Sequence, residues 1–318
     1  MRTLATVASQ TDAWTGEGPV WCAARRCLYY VDLGDTRPGK LHVYHPERCV
    51  EEIHDLPAMT KDFTQVTAVT VVQNEPHRLA VATEAGVFLY DCQSGDLRRL
   101  TGELQPELPK GSYRSNDGKC DPRGRFLIGT MLFSADAPSG GLFSVAGSTI
   151  QQLLTGVTIG NGLAWSANGR TMYFIDSPLK RIDAFEYHLD AGTLGARRTA
   201  FDFADYFAQQ AGWEEAAPDG MTIDAEGLLW VAIYGGGAAL RVDPAKEEVV
   251  CRVDCPAKYT TSVALGGPAR DTLYITSFRR GDAGPDAGAV FQCRAPAPGP
   301  PPAEFRLGGS LEHHHHHH

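Results

Sequence analysis

Apolar residues in this chain fall in short runs, such as LYYVD, LHVYH, LAVAT, GVFLYD, FLIGTM, GLFSV, TMYFID, LLWVAIY, ALRVD and LYITS. Gly, Pro, Asp and Asn separate them, which is the pattern of brief β-strands joined by tight turns. The runs come in pairs or triples closed by turns such as DCQSGDL, HLDAGTL and VDPAKEEV. Helical periodicity is scarce, and FADYFAQQAG at 203–212 is the one good helical candidate. Six strand-rich units open near residues 17, 66, 116, 161, 219 and 262. Their spacing, roughly 45–58 residues, is that of four-stranded propeller blades. A β-sandwich also shows regular short strands. The landmarks inside each unit favour radial repetition instead: a Gly near the start, a turn (SANG, DAEG or DPRG), then an apolar strand. The pattern predicts an all-β, six-bladed β-propeller, one domain over 1–308, with 309–318 as linker and expression tag.

One phrase recurs inside these units. Residues 17–32 read EGPVWCAARRCLYYVD, residues 161–176 read NGLAWSANGRTMYFID, and residues 219–230, DGMTIDAEGLLW, fit the same frame. The scaffold residues repeat while the first position changes from Glu17 to Asn161 to Asp219. In a propeller the first strand of each blade lines the central channel and all six run the same way, so these positions converge on one mouth. Unit three offers Asn116-Asp117-Gly118 there. Each residue alone reads as a strand-start residue making a turn, as Asx-Gly pairs often do. Together, unlike in type at one equivalent position, they favour a site. Two carboxylates and a carboxamide form a hard, all-oxygen set suited to Ca²⁺, Mg²⁺ or Mn²⁺ more than to zinc. The expectation is a metal site in the central channel, with coordination positions left open for water or substrate.

Composition narrows the classes. Of 318 residues, 43% are hydrophobic and 21% charged, as in an ordinary globular protein. A net charge of −9 argues against nucleic acid as a partner. No apolar run reaches the roughly 18 residues of a membrane span, and the N-terminus lacks the apolar core of a secretory signal. The eight cysteines form no C-x-x-C and no zinc-finger spacing. They read as small buried hydrophobes in a reducing cytoplasm.

Four ordered motifs, GEGPVW at 16–21, RSNDGKCDPRGRFLIGTM at 114–131, NGLAWSANGRTMYFIDS at 161–177 and PDGMTIDAEGLLWVA at 218–232, resemble the regucalcin/gluconolactonase family. The resemblance runs from about residue 14 to 293. It implies a six-bladed propeller that hydrolyses sugar lactones with one divalent ion, calcium ahead of Mn²⁺, Mg²⁺, Zn²⁺ or Fe²⁺. It implies Glu17, Asn161 and Asp219 as metal ligands, Asp219 also as general acid/base, and Arg114 and Asn116 as holders of the sugar hydroxyls. The chain departs from mammalian regucalcin where a substrate-contacting glutamate follows GTM: Ser134 stands there, with Asp136 the nearest carboxylate. The expected partner is a small sugar lactone, and the expected state a cytoplasmic monomer or weak dimer. Two other readings keep the fold: hydrolysis of phosphotriesters or aryl esters, and a non-enzymatic calcium-binding propeller. Arg114 with Asn116 favours a polyol over an apolar ester. A surface ion pair is an equally good reading of Arg114.

The remaining features read as scaffold. Tyr234–Gly237 and Gly266-Gly267 lack the GK[ST] of a phosphate loop. Trp21, Trp165 and Trp230 recur with the repeat and suit blade packing. The Pro-rich 295–305 reads as a tail, or a linker to a last edge strand. Lys61 and Asp62 sit in a polar loop where a lid has room.

Overall fold

The apolar runs pair into six antiparallel sheets, as the repeat predicts. The computed structural model describes residues 1–308 except 12, 35, 36, 282 and 283, so the expected linker and tag lie outside the described residues. The innermost strands are Gly16–Cys22, Ala68–Val72, Tyr113–Cys120, Gly160–Trp165, Ala217–Ile223 and Thr260–Gly266, one for each of blades 1 to 6. Each begins within a few residues of the openings read from the sequence. Among the described residues, five sheets have four strands and that of blade 5 has five.

The two chain ends close the ring. Blade 6 takes its outermost strand from the N-terminus, where Thr6–Ser9 pairs antiparallel with Val290–Arg294. Arg2–Leu4 adds in parallel to Glu248–Asp254 at the edge of blade 5. Because blade 6 is built from both ends, the ring cannot open without breaking a sheet.

The core sits between blades. Each of six buried clusters joins one blade to its neighbour. Trp21 packs between blades 6 and 1, Trp165 between 3 and 4, and Trp230 between 5 and 6. Fully burying one large side chain is worth about 1.5–3 kcal/mol, so these repeated aromatics stabilise the ring itself. All eight cysteines are free. No helix among the described residues is long and apolar enough to cross a membrane.

Two elements differ from the sequence reading. The helix is confined to Ala204–Ala208. Phe203 stacks on Phe207, and Phe207 meets Trp213 edge-on, so the segment turns back onto blades 4 and 5. The Pro-rich stretch is neither a free tail nor a linker to a paired strand. It crosses the end of the propeller where the innermost strands finish. Along it, Asp271 and Arg270 of blade 6 accept from the amides of Ala295 and Gly299. Ala225 of blade 5 donates to Pro298, and Gly124 of blade 3 accepts from Arg306. Phe305 is fully buried and makes a single bridge with Val72 of blade 2.

Candidate metal and substrate site

Glu17, Asn116, Asn161 and Asp219 lie near the start of four innermost strands; the last three fall within a break in the pairing register and Glu17 borders one. The breaks span Glu17/Val20, Ser115/Gly118, Gly160/Leu163 and Pro218/Met221. Such bulges release a side chain from the ladder and re-aim it. The Gly directly after Glu17, Asn161 and Asp219 has its own reason. A Cβ on Gly162 would lie 2.5 Å from the Cβ of Met221 and 2.8 Å from its amide nitrogen. At Gly220, too, a Cβ would collide with Ser262 of the next blade, whereas Gly18 takes a positive φ of 54°. The Asp that ends each long phrase holds the loop leading into its strand. Asp32 accepts from the amides of Trp14 and Thr15, and Asp176 from those of Thr158 and Ile159.

The ring residues meet. Glu17, Asn116, Asn161 and Asp219 are each no more than 7% exposed. Glu17 and Asp219 share a side-chain hydrogen bond, although both are carboxyl groups. Asn116 Nδ2 donates to Asn161 Oδ1 at 3.1 Å, and Arg114 Nη1 donates to Asn116 Oδ1 at 2.8 Å. Ser177, which the sequence reading did not single out, fixes the remaining side. Its Oγ accepts from Asn161 Nδ2 at 2.6 Å and donates to the Pro218 carbonyl at 2.7 Å. No pattern marks Ser177 except its place directly after the phrase-ending Asp176.

Burial, then the charges of Asp219 and Asp117, hold the Glu17 carboxyl well above the usual range. Burial and Asp117 do the same to Asp219, while Arg114 pulls it back. Asp219 Oδ1 is buried and has no hydrogen-bond partner among the described residues. Two desolvated carboxylates in contact are costly unless protonated or neutralised by a cation. Asn161 Oδ1, a carbonyl oxygen with two lone pairs, can accept from Asn116 and still face an ion. Among the described residues no three His, Cys, Asp or Glu side chains form a metal-binding group. The trio here is two carboxylates and a carboxamide, and its chemistry fits a hard divalent ion.

Other candidates stand apart from this ring. Ser134 is exposed and donates to Asp136 at 2.5 Å. Lys61 and Asp62 are exposed in the loop after Leu56–Met59. On the blade 5, 6 and 1 side an aromatic wall was not foreseen: Tyr234 lies 4.9 Å from Tyr259 and 6.3 Å from Phe278, centroid to centroid. These residues come from three separate segments, Tyr234 from the end of the strand Leu229–Tyr234, so no local pattern marks them.

Fold and ring together define a six-bladed propeller with a buried carboxylate pair at one end of its channel. Residues 15–279 match the model of the SMP-30/gluconolactonase/LRE-like region, and the chain belongs to that family. It is 30% identical to a Bacillus subtilis (strain 168) protein named as a candidate sugar lactone lactonase, YvrE, over 95% of this chain and 98% of that one. It is 32% identical to regucalcin of Oryctolagus cuniculus, over 87% and 89%. In structure it is similar to a calcium-binding protein, regucalcin, from Agrobacterium tumefaciens str. C58. The TM-score is 0.84 at 27% identity, covering 96% of this chain and 99% of the other.

The raised carboxyls have a measurable consequence. A carboxyl held above its unfolded-chain value binds more protons folded than unfolded, so stability falls as pH rises from the ordinary carboxylate range towards the raised values. Metal-stripped protein should therefore melt at a higher temperature near pH 5.5 than near pH 8, because of Glu17 and Asp219. Glu17→Gln should flatten that slope. A Tm that climbs with pH across this window in stripped protein would contradict the assignment.

Proposed function

We propose that the chain hydrolyses sugar lactones, using one divalent cation held by Glu17, Asn161 and Asp219. The observation that carries this reading is the buried Glu17–Asp219 carboxylate pair with its unpartnered Oδ1. The family and the lactonase relative support the substrate class.

A lactone is a cyclic ester. Its hydrolysis adds water to the ring carbonyl, passes through a tetrahedral oxyanion and breaks the ring C–O bond to give a hydroxy acid. When bound, a divalent ion supplies Lewis acidity at the carbonyl and lowers the pKa of water. Asp219 accepts the proton of the attacking water and returns it to the departing ring oxygen. Ligation weakens a carboxylate as a base, and burial together with Asp117 offsets that by raising its proton affinity. Asn116 is held by Arg114 on one side and by the Gly160 carbonyl and Asn161 on the other. That rigid pair can meet substrate hydroxyls without reorganising.

A pH-indicator screen of aldonolactones, with several divalent ions added to chelator-stripped protein, tests the proposal. The expected result is acid release with at least one lactone and ion. No release above the uncatalysed rate with any combination would sink it. Arg114→Ala should raise KM more than it lowers kcat, because a hydroxyl clamp binds substrate and transition state alike. An unchanged KM for every lactone would make Arg114 purely structural.

A further inference from the structure

A cavity lies in the channel beyond this ring, towards the end where the innermost strands finish. It measures about 350 Å³, within the range that encloses a small molecule. Trp21, Val69, Trp165, Met221 and Leu265 wall it from five blades, and blade 3 contributes Asp117 and Lys119. Glu17, Asn161 and Asp219 do not line it. The Pro-rich strap closes one side through Gly299–Ala303. Pro122 and Ala167, both exposed in blades 3 and 4, form the open rim.

Lys119 sets the chemistry. Its Nζ donates to the Met221 carbonyl at 2.6 Å, reaching from blade 3 to blade 5. Among the described residues that is its one hydrogen bond, so two of the three ammonium N–H groups remain. Asp117 is the charged group that acts on it. The pair already sums to zero charge. A carboxylate ligand would meet the repulsion of Asp117, and a cationic one that of Lys119. A neutral molecule with one hydrogen-bond acceptor and an otherwise apolar body matches both the polar end and the walls.

We propose that the lower cavity is a second small-molecule site, taking a compact, neutral, largely apolar carbonyl compound whose oxygen accepts from Lys119 Nζ. Burial also lowers the Lys119 pKa to about 8, so far more of it is free amine at neutral pH than of an exposed lysine. An aldehyde of this shape should therefore condense with it, which makes the site chemically addressable.

The test uses the full chain and two probes of one shape. Acetophenone only binds. Benzaldehyde can also react: the Lys119 nitrogen adds to the aldehyde carbon, water leaves to form the imine, and added cyanoborohydride delivers hydride to give a stable benzylamine. Peptide mapping should place the benzyl group on Lys119 at least about tenfold ahead of the exposed Lys61 and Lys110. Acetophenone should suppress that labelling, and it should show saturable binding in ligand-observed NMR. Ala167→Trp, at the rim, should cut Lys119 labelling and acetophenone binding while leaving the thermal unfolding curve and lactone hydrolysis unchanged. Labelling that merely follows surface exposure overturns the proposal. So does Lys119 labelling that acetophenone leaves untouched, or no saturable acetophenone binding to the wild-type chain, a readout that needs no variant. None of these results depends on the upper site being a lactonase.

Discussion

Asp219→Asn should lower lactone turnover by about 10²–10⁴-fold even when the cation site is full, the range expected for losing a positioned proton acceptor. The substitution keeps the size of the side chain and an oxygen donor. It removes one negative charge and the group that takes the proton from water. With Glu17 and Asn161 in place the ion should still bind, more weakly. Measuring kcat across a metal titration, with occupancy followed independently, separates the two roles of Asp219. Recovery of near-wild-type kcat at full occupancy would leave Asp219 a ligand and end its role as base.

The second large effect is on stability. Glu17 and Asp219 are desolvated and in contact, and Asp117 adds to the repulsion. A cation that binds only the folded protein stabilises it by mass action, about 2.7 kcal/mol at a hundredfold excess over Kd. In a chain of this size that corresponds to a Tm rise of roughly 4 °C over chelator-stripped protein near neutral pH. The rise should shrink towards pH 5, where protons neutralise the same carboxyls and compete with the ion. A Tm indifferent to Ca²⁺, Mn²⁺ and Mg²⁺ at pH 8 would count against a cation in the channel.

The blades were readable because a propeller repeats its local chemistry. Each unit must make the same turn and bury the same strand, so Trp21 and Trp165 recur at one register, as do the Asp residues that hold the entering loops. The ring was readable for the opposite reason. Where the scaffold is constant, Glu17, Asn161 and Asp219 differ, and the Gly after each marks the bulge that releases the side chain. What could not be read depends on contacts between distant segments. Ser177 links Asn161 to Pro218, Lys119 reaches a carbonyl 102 residues away, and the aromatic wall is assembled from three separate segments. The Pro-rich strap carries no strand pattern, because it meets single turn residues of blades 3, 5 and 6 and makes one bridge to Val72. The short helix was overextended by a periodicity that Phe203, Phe207 and Trp213 use to fold the segment back.

The central claim is that Glu17, Asn161 and Asp219 hold one divalent ion on which lactone hydrolysis depends. Calorimetric titration of stripped protein with Ca²⁺ or Mn²⁺, with aldonolactone hydrolysis assayed on the same samples, tests it most directly. The account predicts one site per chain, hydrolysis rising in proportion to occupancy, and both weakened in Glu17→Gln. Full hydrolysis by stripped protein, or ion binding that Glu17→Gln leaves unchanged, would contradict it.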